Sequence, residues 1–211
     1  MRNFTIILLA IFTFLLSCKQ KEKQKDTFIL KYIKNNNEIV LCFENNTSEN
    51  IIFLLPNSLE FSDKNYKSFS TRGAHPINVY ALLQPNQSSL LYQKKYDSIV
   101  NKFYTEKGIT DFFKEMKPED GNSVFYLKEQ SKIEVKYNLT VKSMMGMMKK
   151  SYSSKFKQNY YPYEKVLKGS TPDGEYVRRF SKLNFGKVKF VAQPVIEDSL
   201  FLKLSEKDVT P

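Results

Sequence analysis

The sequence predicts a mainly β protein, a two-sheet sandwich with one or two short helices around residues 97–117. Three observations predict it. From residue 27 onward, short apolar segments are punctuated by Asn, Ser, Gly and Pro at the spacing of strands and turns. One segment, 133–141, alternates five apolar residues (Ile133, Val135, Tyr137, Leu139, Val141) with four polar ones, the period of a half-buried strand. Only residues 97–117 break the pattern with apolar residues at helical intervals. A chain of 211 residues, 41% hydrophobic and 14% aromatic, is long enough to bury one compact core. Its seven Gly and eight Pro have no period, which excludes collagen-like and linker compositions.

Taken in order, residues 28–34 and 38–44 flank Asn35-Asn36-Asn37, whose tolerance of left-handed backbone suits a hairpin turn. A second turn, Asn45-Asn46-Thr47-Ser48-Glu49, leads into 50–55, and the three segments predict a meander. Further strands are expected at 77–83, 89–93, 123–128, 175–181, 187–192 and 200–204, about ten in all. Ile99, Val100, Phe103 and Tyr104, then Ile109, Phe112, Phe113 and Met116, set the helical segment, with Gly108 between the two groups and Pro118 after them. These helices are expected to cover an edge or an end of the sheets. A single sandwich over 27–211 is the favoured organisation, and a subdomain boundary, if the chain has one, falls at residues 117–121. The opening strand, Asn-rich turn and strand resemble bacterial immunoglobulin-like domains, which makes an immunoglobulin-like β-sandwich the expected fold class.

The N-terminus carries an address. Arg2 supplies a positive region, and residues 4–16 form a 13-residue apolar run, too short for the roughly 20 residues that cross a bilayer and of the length of a signal-peptide core. Leu15-Leu16-Ser17-Cys18 follows and resembles the lipobox of bacterial lipoproteins. That resemblance implies a signal peptide over 1–17, cleavage before Cys18, a diacylglycerol on the Cys18 thiol and acylation, such as by palmitate, of the new amino group. A plain secretory signal, an uncleaved anchor and a buried helix share the apolar run but explain less of what surrounds it. Several acyl chains make a stable anchor at about 0.8 kcal/mol per buried methylene. Lys19-Gln20-Lys21-Glu22-Lys23-Gln24-Lys25-Asp26 then reads as a flexible tether over 18–26. It loosely resembles the charged surface-export segments of some Gram-negative lipoproteins, and Lys19 in place of Asp implies passage to the outer membrane by the Gram-negative sorting rule. The expected location is lipid-anchored on the outer membrane, at its periplasmic face or the cell surface.

The formal net charge of +11 becomes +10 without residues 1–17, whose only charged residue is Arg2. The charge is mostly Lys, scattered among Glu and Asp, and suits lipid headgroups, acidic polysaccharide or solubility better than nucleic acid, which is not an expected partner. With Cys18 lipidated, Cys42 has no disulfide partner; flanked by Leu41 and Phe43, it is expected to be buried as a small hydrophobe. One His and two Cys leave no His/Cys zinc site, and only His75 for any histidine-dependent catalysis.

The remaining candidates are weighed by their chemistry. Tyr160, Tyr161 and Tyr163, with Lys155, Lys157 and Lys165 around them, offer an aromatic platform bordered by cations that suits an anionic glycan. Ordinary strand tyrosines, with the ring packed inward and the hydroxyl at the rim, are the commoner explanation of such a run. Met144, Met145, Met147 and Met148 are soft ligands suited to Cu(I), but no His or Cys stands beside them, so core filling is the expectation and no cofactor is called for. His75 reads as a loop residue. Glu119, Asp120 and Asp173 read as turn formers beside Gly, and nothing in their spacing points to a catalytic pair. Asp97-Ser98-Ile99 and Asp198-Ser199-Leu200 resemble a bacterial O-glycosylation acceptor, while Ser98 also fits a helix start. The expected function is a membrane-anchored, non-catalytic binding or structural module acting on the bilayer, envelope polysaccharide or an envelope protein. The alternatives are a carboxylate-dependent envelope hydrolase and an immunity-type or assembly partner.

Overall fold

The computed structural model describes residues 26–35, 38–60, 77–109, 121–143, 152–156, 172–196 and 200–204. In chain order its elements are β1 (Phe28–Asn35), β2 (Glu38–Asn45), β3 (Asn50–Pro56), β4 (Ser58–Glu60), β5 (Ile77–Leu83), α1 (Leu90–Glu106), β6 (Asn122–Leu127), β7 (Ser131–Ser143), β8 (Tyr152–Phe156), α2 (Pro172–Ser181), β9 (Val188–Phe190), β10 (Val195–Ile196) and β11 (Leu200–Leu204). The protein is mainly β, and among the described residues two sheets pack face to face, with two helices. A six-stranded sheet has the order β10-β1-β2-β7-β5-β4, and a three-stranded sheet the order β6-β3-β9. β8 and β11 form a separate antiparallel pair.

Alternation dictates which side chains meet. On β2, Ile39, Leu41 and Phe43 point into the sandwich, as do Val135 and Tyr137 of β7. Ile51, Phe53, Leu55, Phe125 and Leu127 answer them from the three-stranded sheet. Phe28, Phe43, Phe53 and Phe125 join the two sheets through ring centroids 4.8–5.7 Å apart. Tyr137 is fully buried, and its hydroxyl donates to the Pro56 carbonyl at 2.8 Å, linking β7 to the end of β3.

The other face of the three-stranded sheet is buried as well. Ile52, Leu54 and Val124 pack against Tyr96, Val100 and Phe103 of α1 and Tyr176, Val177 and Phe180 of α2. The molecule thus has three layers, sheet, sheet and helices, and the middle sheet is apolar on both sides. That is why β3 reads as the unbroken run Ile51 to Leu55 rather than as an alternation.

Several expectations are corrected. The 28–55 meander is a β1–β2 hairpin only: β3 leaves for the second sheet, where it pairs with β6 antiparallel and β9 parallel. Residues 89–93 begin α1 rather than form a strand, because Tyr92, Tyr96, Val100 and Phe103 continue one helical stripe toward the core. Residues 175–181 are likewise helical: Pro172 stands in the first turn, and Tyr176 and Phe180 share a face one turn apart. The helices cover a face of the three-stranded sheet, and the start of α1 also reaches its β6 edge, as the sequence suggests. α1 stops at Glu106 in a Schellman geometry, with Gly108 at φ 79° and N–H bonds from Gly108 to Thr105 and from Ile109 to Tyr104. The helix expected over 110–117 and the boundary at 117–120 lie outside the described residues. β4, β8 and β10 were not expected from the sequence.

Candidate functional site

The tether would enter the fold at one end of the sandwich, and that end is knitted by side chains. The Asp26 N–H donates to the Asn46 carbonyl at 3.3 Å, and the Asn46 N–H to the Thr27 carbonyl at 2.9 Å. Asn45, fully buried, donates from Nδ2 to the carbonyls of Glu49 at 2.8 Å and Lys128 at 2.9 Å. Its Oδ1 accepts from the Thr47 hydroxyl at 2.7 Å and the Thr47 N–H at 3.1 Å. Gln130, held at φ 49° in the β6–β7 turn, donates to the carbonyls of Asn46 and Thr47 at 2.8 and 3.0 Å. Asn50 accepts from the Glu129 N–H at 3.1 Å. Two turns that each cross between the sheets, β2 to β3 and β6 to β7, are locked together where residues 26–27 join the body. The buried polar groups of this clasp are satisfied, which rigidifies the end of the fold that residues 26–27 join.

The helical layer forms the second surface. β6 is an edge strand of its sheet, and α1 covers that edge: the Ser89 N–H donates to the Val124 carbonyl at 2.8 Å, and Gln93 Oε1 accepts from the Val124 N–H at 2.7 Å. Gln93 Nε2 also donates to Asp97 Oδ1 at 2.8 Å. Partial burial raises the Asp97 carboxyl above its ordinary value, and the Gln93 bond offsets part of that. Arg179 ties the helices, donating to Glu106 at 2.8 Å and to Glu175 at 3.1 Å with its guanidinium 5.4 Å from the Phe103 ring centre. Hydrogen bonds from Arg179 to Glu106, and from Arg178 and Arg179 to Glu175, hold both carboxyls below the usual range. On the outward face of α1, Leu90 and Leu91 are 77% and 62% exposed, with exposed Lys94 and Lys95 one turn further on.

Cys42 departs from the sequence expectation. Its neighbours Leu41 and Phe43 point inward, so Cys42 points outward and is only half-buried, with Sγ 4.0 Å from Glu134 Oε1. Burial first, then the Glu134 and Glu44 charges, push the thiol up, so it is a weak nucleophile. Asp97-Ser98-Ile99 lies inside α1, with Ser98 exposed and the helix starting at Leu90, so Ser98 is not a helix-start residue. Asp173 belongs to the first turn of α2 rather than to a loop turn.

Cys18, the tether residues 18–25, Tyr160, Tyr161, Tyr163, His75, Met144, Met145, Met147, Met148, Glu119, Asp120, Asp198 and Ser199 lie outside the described residues. Among the described residues no group of three or more His, Cys, Asp or Glu is placed to hold a metal ion, and no helix is long and apolar enough to cross a membrane. Sequence reasoning missed the Leu90-Leu91 pair as a surface, although leucines followed four residues later by lysines are a legible signal once the segment is known to be helical. Comparison with protein-family models, with curated proteins and with solved structures finds no match to this chain.

Proposed function

We propose that this protein is a lipid-anchored, non-catalytic binding or structural module of a Gram-negative outer membrane, tethered through acylated Cys18. The observation that carries the reading is the sequence Leu15-Leu16-Ser17-Cys18 after a short apolar run, followed by a charged spacer that leads directly into a β-sandwich. Two features support it. Asp26 and Thr27 are bonded into the clasp, so the tether would join the body at an end tied by buried hydrogen bonds. From Cys18 to Asp26 the chain can span at most about 28 Å, which keeps the body near the bilayer and raises the effective concentration of any membrane-surface ligand. Labelled fatty acid should appear in the protein expressed in a Gram-negative host and vanish in Cys18→Ala, which should also leave the detergent phase on phase separation. A mature product that begins at Met1, or one that carries no label, overturns the reading.

A further inference from the structure

The lipid-anchor reading places the body beside a bilayer; it does not say which surface faces it. We infer that the first two turns of α1 dock on anionic lipid, with Leu90 and Leu91 entering the acyl boundary and Lys94 and Lys95 lying among the headgroups. This inference rests on the anchor reading and deepens it.

Leu90 and Leu91 are the two most exposed large hydrophobic residues among those described. They stand side by side on a helix whose remaining apolar residues face the core. Lys94 follows Leu90, and Lys95 follows Leu91, by four residues, so each lysine lies about 6 Å along the axis on the same side of the helix. Leucine tips inside the boundary with flexible ammonium groups one turn away match the depth profile of an interfacial helix. Lys95 Nζ lies 5.8 Å from the ring centres of both Tyr92 and Phe185, which keeps one cation beside the leucines.

The charge of the surface favours one kind of lipid. Lys94, Lys95, Lys102 and Lys107 are all exposed along α1 and its C-terminal cap. Of the two carboxylates of the helix, Glu106 is paired with Arg179 and Asp97 is half-buried against Gln93, so four exposed lysines outnumber them, and the first turn carries no acidic residue. The outward face is therefore cationic, complementary to an anionic headgroup layer and indifferent to a zwitterionic one.

Reach permits the arrangement. α1 and the sheet holding β1 are separated by the middle sheet, an offset of about 20 Å for two packed layers. The start of α1 is bonded at Val124, which pairs with Leu54, four residues along β3 from the clasp end at Asn50, or about 14 Å. Leu91 lies on the outer side of α1, about 5 Å beyond its axis, so a bilayer laid on that face stands about 25 Å from the β1 layer, within the tether's span of about 28 Å, while the lateral offset is free because Cys18 can take any position in the bilayer plane.

The chain contains no tryptophan, so Leu91→Trp introduces a single indole at an exposed position. The full acylated protein carrying it is reconstituted into vesicles of phosphatidylcholine alone or with phosphatidylglycerol, each with brominated acyl chains. The expected result is blue-shifted, bromine-quenched emission in the anionic vesicles and little of either in phosphatidylcholine. In the anionic vesicles, adding Lys94→Gln and Lys95→Gln should lower the docked-to-free ratio about thirty-fold, the effect of two lysines leaving an anionic surface. A water-exposed indole on protein that floats with anionic vesicles overturns the docking and leaves the anchor standing. Protein that does not float overturns the anchor and the docking with it. Equal quenching in both lipids, unaffected by the lysine changes, overturns the charge assignment. Far-ultraviolet circular dichroism of each variant confirms that the fold is intact.

Discussion

Replacing Tyr137 by Phe tests the packing of the two sheets against each other. The Tyr137 hydroxyl is buried, donates to the Pro56 carbonyl at 2.8 Å, and has its ionisation pushed by burial well above the ordinary value of 10.0. At neutral pH the variant loses one buried hydrogen bond, a net cost of about 1 kcal/mol. Alkali reverses the order. The unfolded chain releases the tyrosine proton near its ordinary value while the folded chain retains it, so the wild type's stability is full below that pH and lost as pH rises through it. The loss for this one group is about 1.4 kcal/mol at about pH 11 and about 2 kcal/mol at about pH 11.5, because each further pH unit adds about 1.4 kcal/mol. Phe has no proton to release. The two stability curves should therefore cross at about pH 10.6, with the variant ahead by about 1 kcal/mol at about pH 11.5. Urea unfolding followed by circular dichroism over this range measures both curves. Curves that stay parallel would show that the hydroxyl ionises as freely in the folded state as in the unfolded one, and the argument from burial would fall.

Three further outcomes are expected. Asn45→Leu removes both donors to the Glu49 and Lys128 carbonyls and the acceptor for Thr47, so urea unfolding should register a loss of about 2–4 kcal/mol; a change below about 0.5 kcal/mol would mean that the clasp carries no stability. Gly108→Ala meets no atom within 4 Å of the new Cβ, so its cost comes from φ 79° alone and should be about 1 kcal/mol, with Asn at this position costing less; equal losses for Ala and Asn would contradict the left-handed cap. Glu106 and Glu175 are held below their ordinary value of 4.5 by arginine hydrogen bonds, so their stabilisation is present above that pH and is lost as pH falls through the lower folded-state value. The protection factors of the α2 amides, with the intrinsic exchange rate at each pH divided out, should accordingly fall below about pH 4 in the wild type, while Arg179→Gln should already be less protected at neutral pH and change less on acidification; identical pH profiles would sink the pairing.

The sequence carried the fold where a single physical rule governed the segment. β7 was legible because one face is buried and the other wet, so Val135 and Tyr137 alternate with exposed Lys132, Glu134, Lys136 and Asn138. The β1–β2 hairpin was legible because its turn is local. The helices were misread at Leu90-Leu91-Tyr92 and at Tyr176-Val177, where aromatic and β-branched residues favour strands in isolation. In both segments tertiary packing overrides that preference: a stripe of Tyr96, Val100 and Phe103, and the pair Tyr176 and Phe180, fit the outer face of the three-stranded sheet. The departure of β3 from the meander was not legible as a pairing, because partner choice is a long-range property. It was still signalled, since the run Ile51 to Leu55 has no polar residue to leave facing water.

Parity explains what the candidate surfaces concealed. Cys42 stands in an apolar run, which argues for burial, but Leu41 and Phe43 cannot both face inward unless Cys42 faces outward toward Glu134. The same reasoning isolates Leu90 and Leu91 in the opposite sense. Once Tyr96, Val100 and Phe103 fix the inward stripe of α1, the two leucines are left on a face shared with Lys94 and Lys95, and folding supplies no reason for leucine there. Exposed leucines scattered singly are ordinary surface; a pair backed by cations at one-turn spacing, on a helix whose carboxylates are bonded to neighbours, is the pattern from which the lipid docking is inferred. Among the described residues the sandwich, the helices and the clasp account for the buried polar and apolar side chains, while the exposed leucines of α1 are what the inferred lipid docking accounts for.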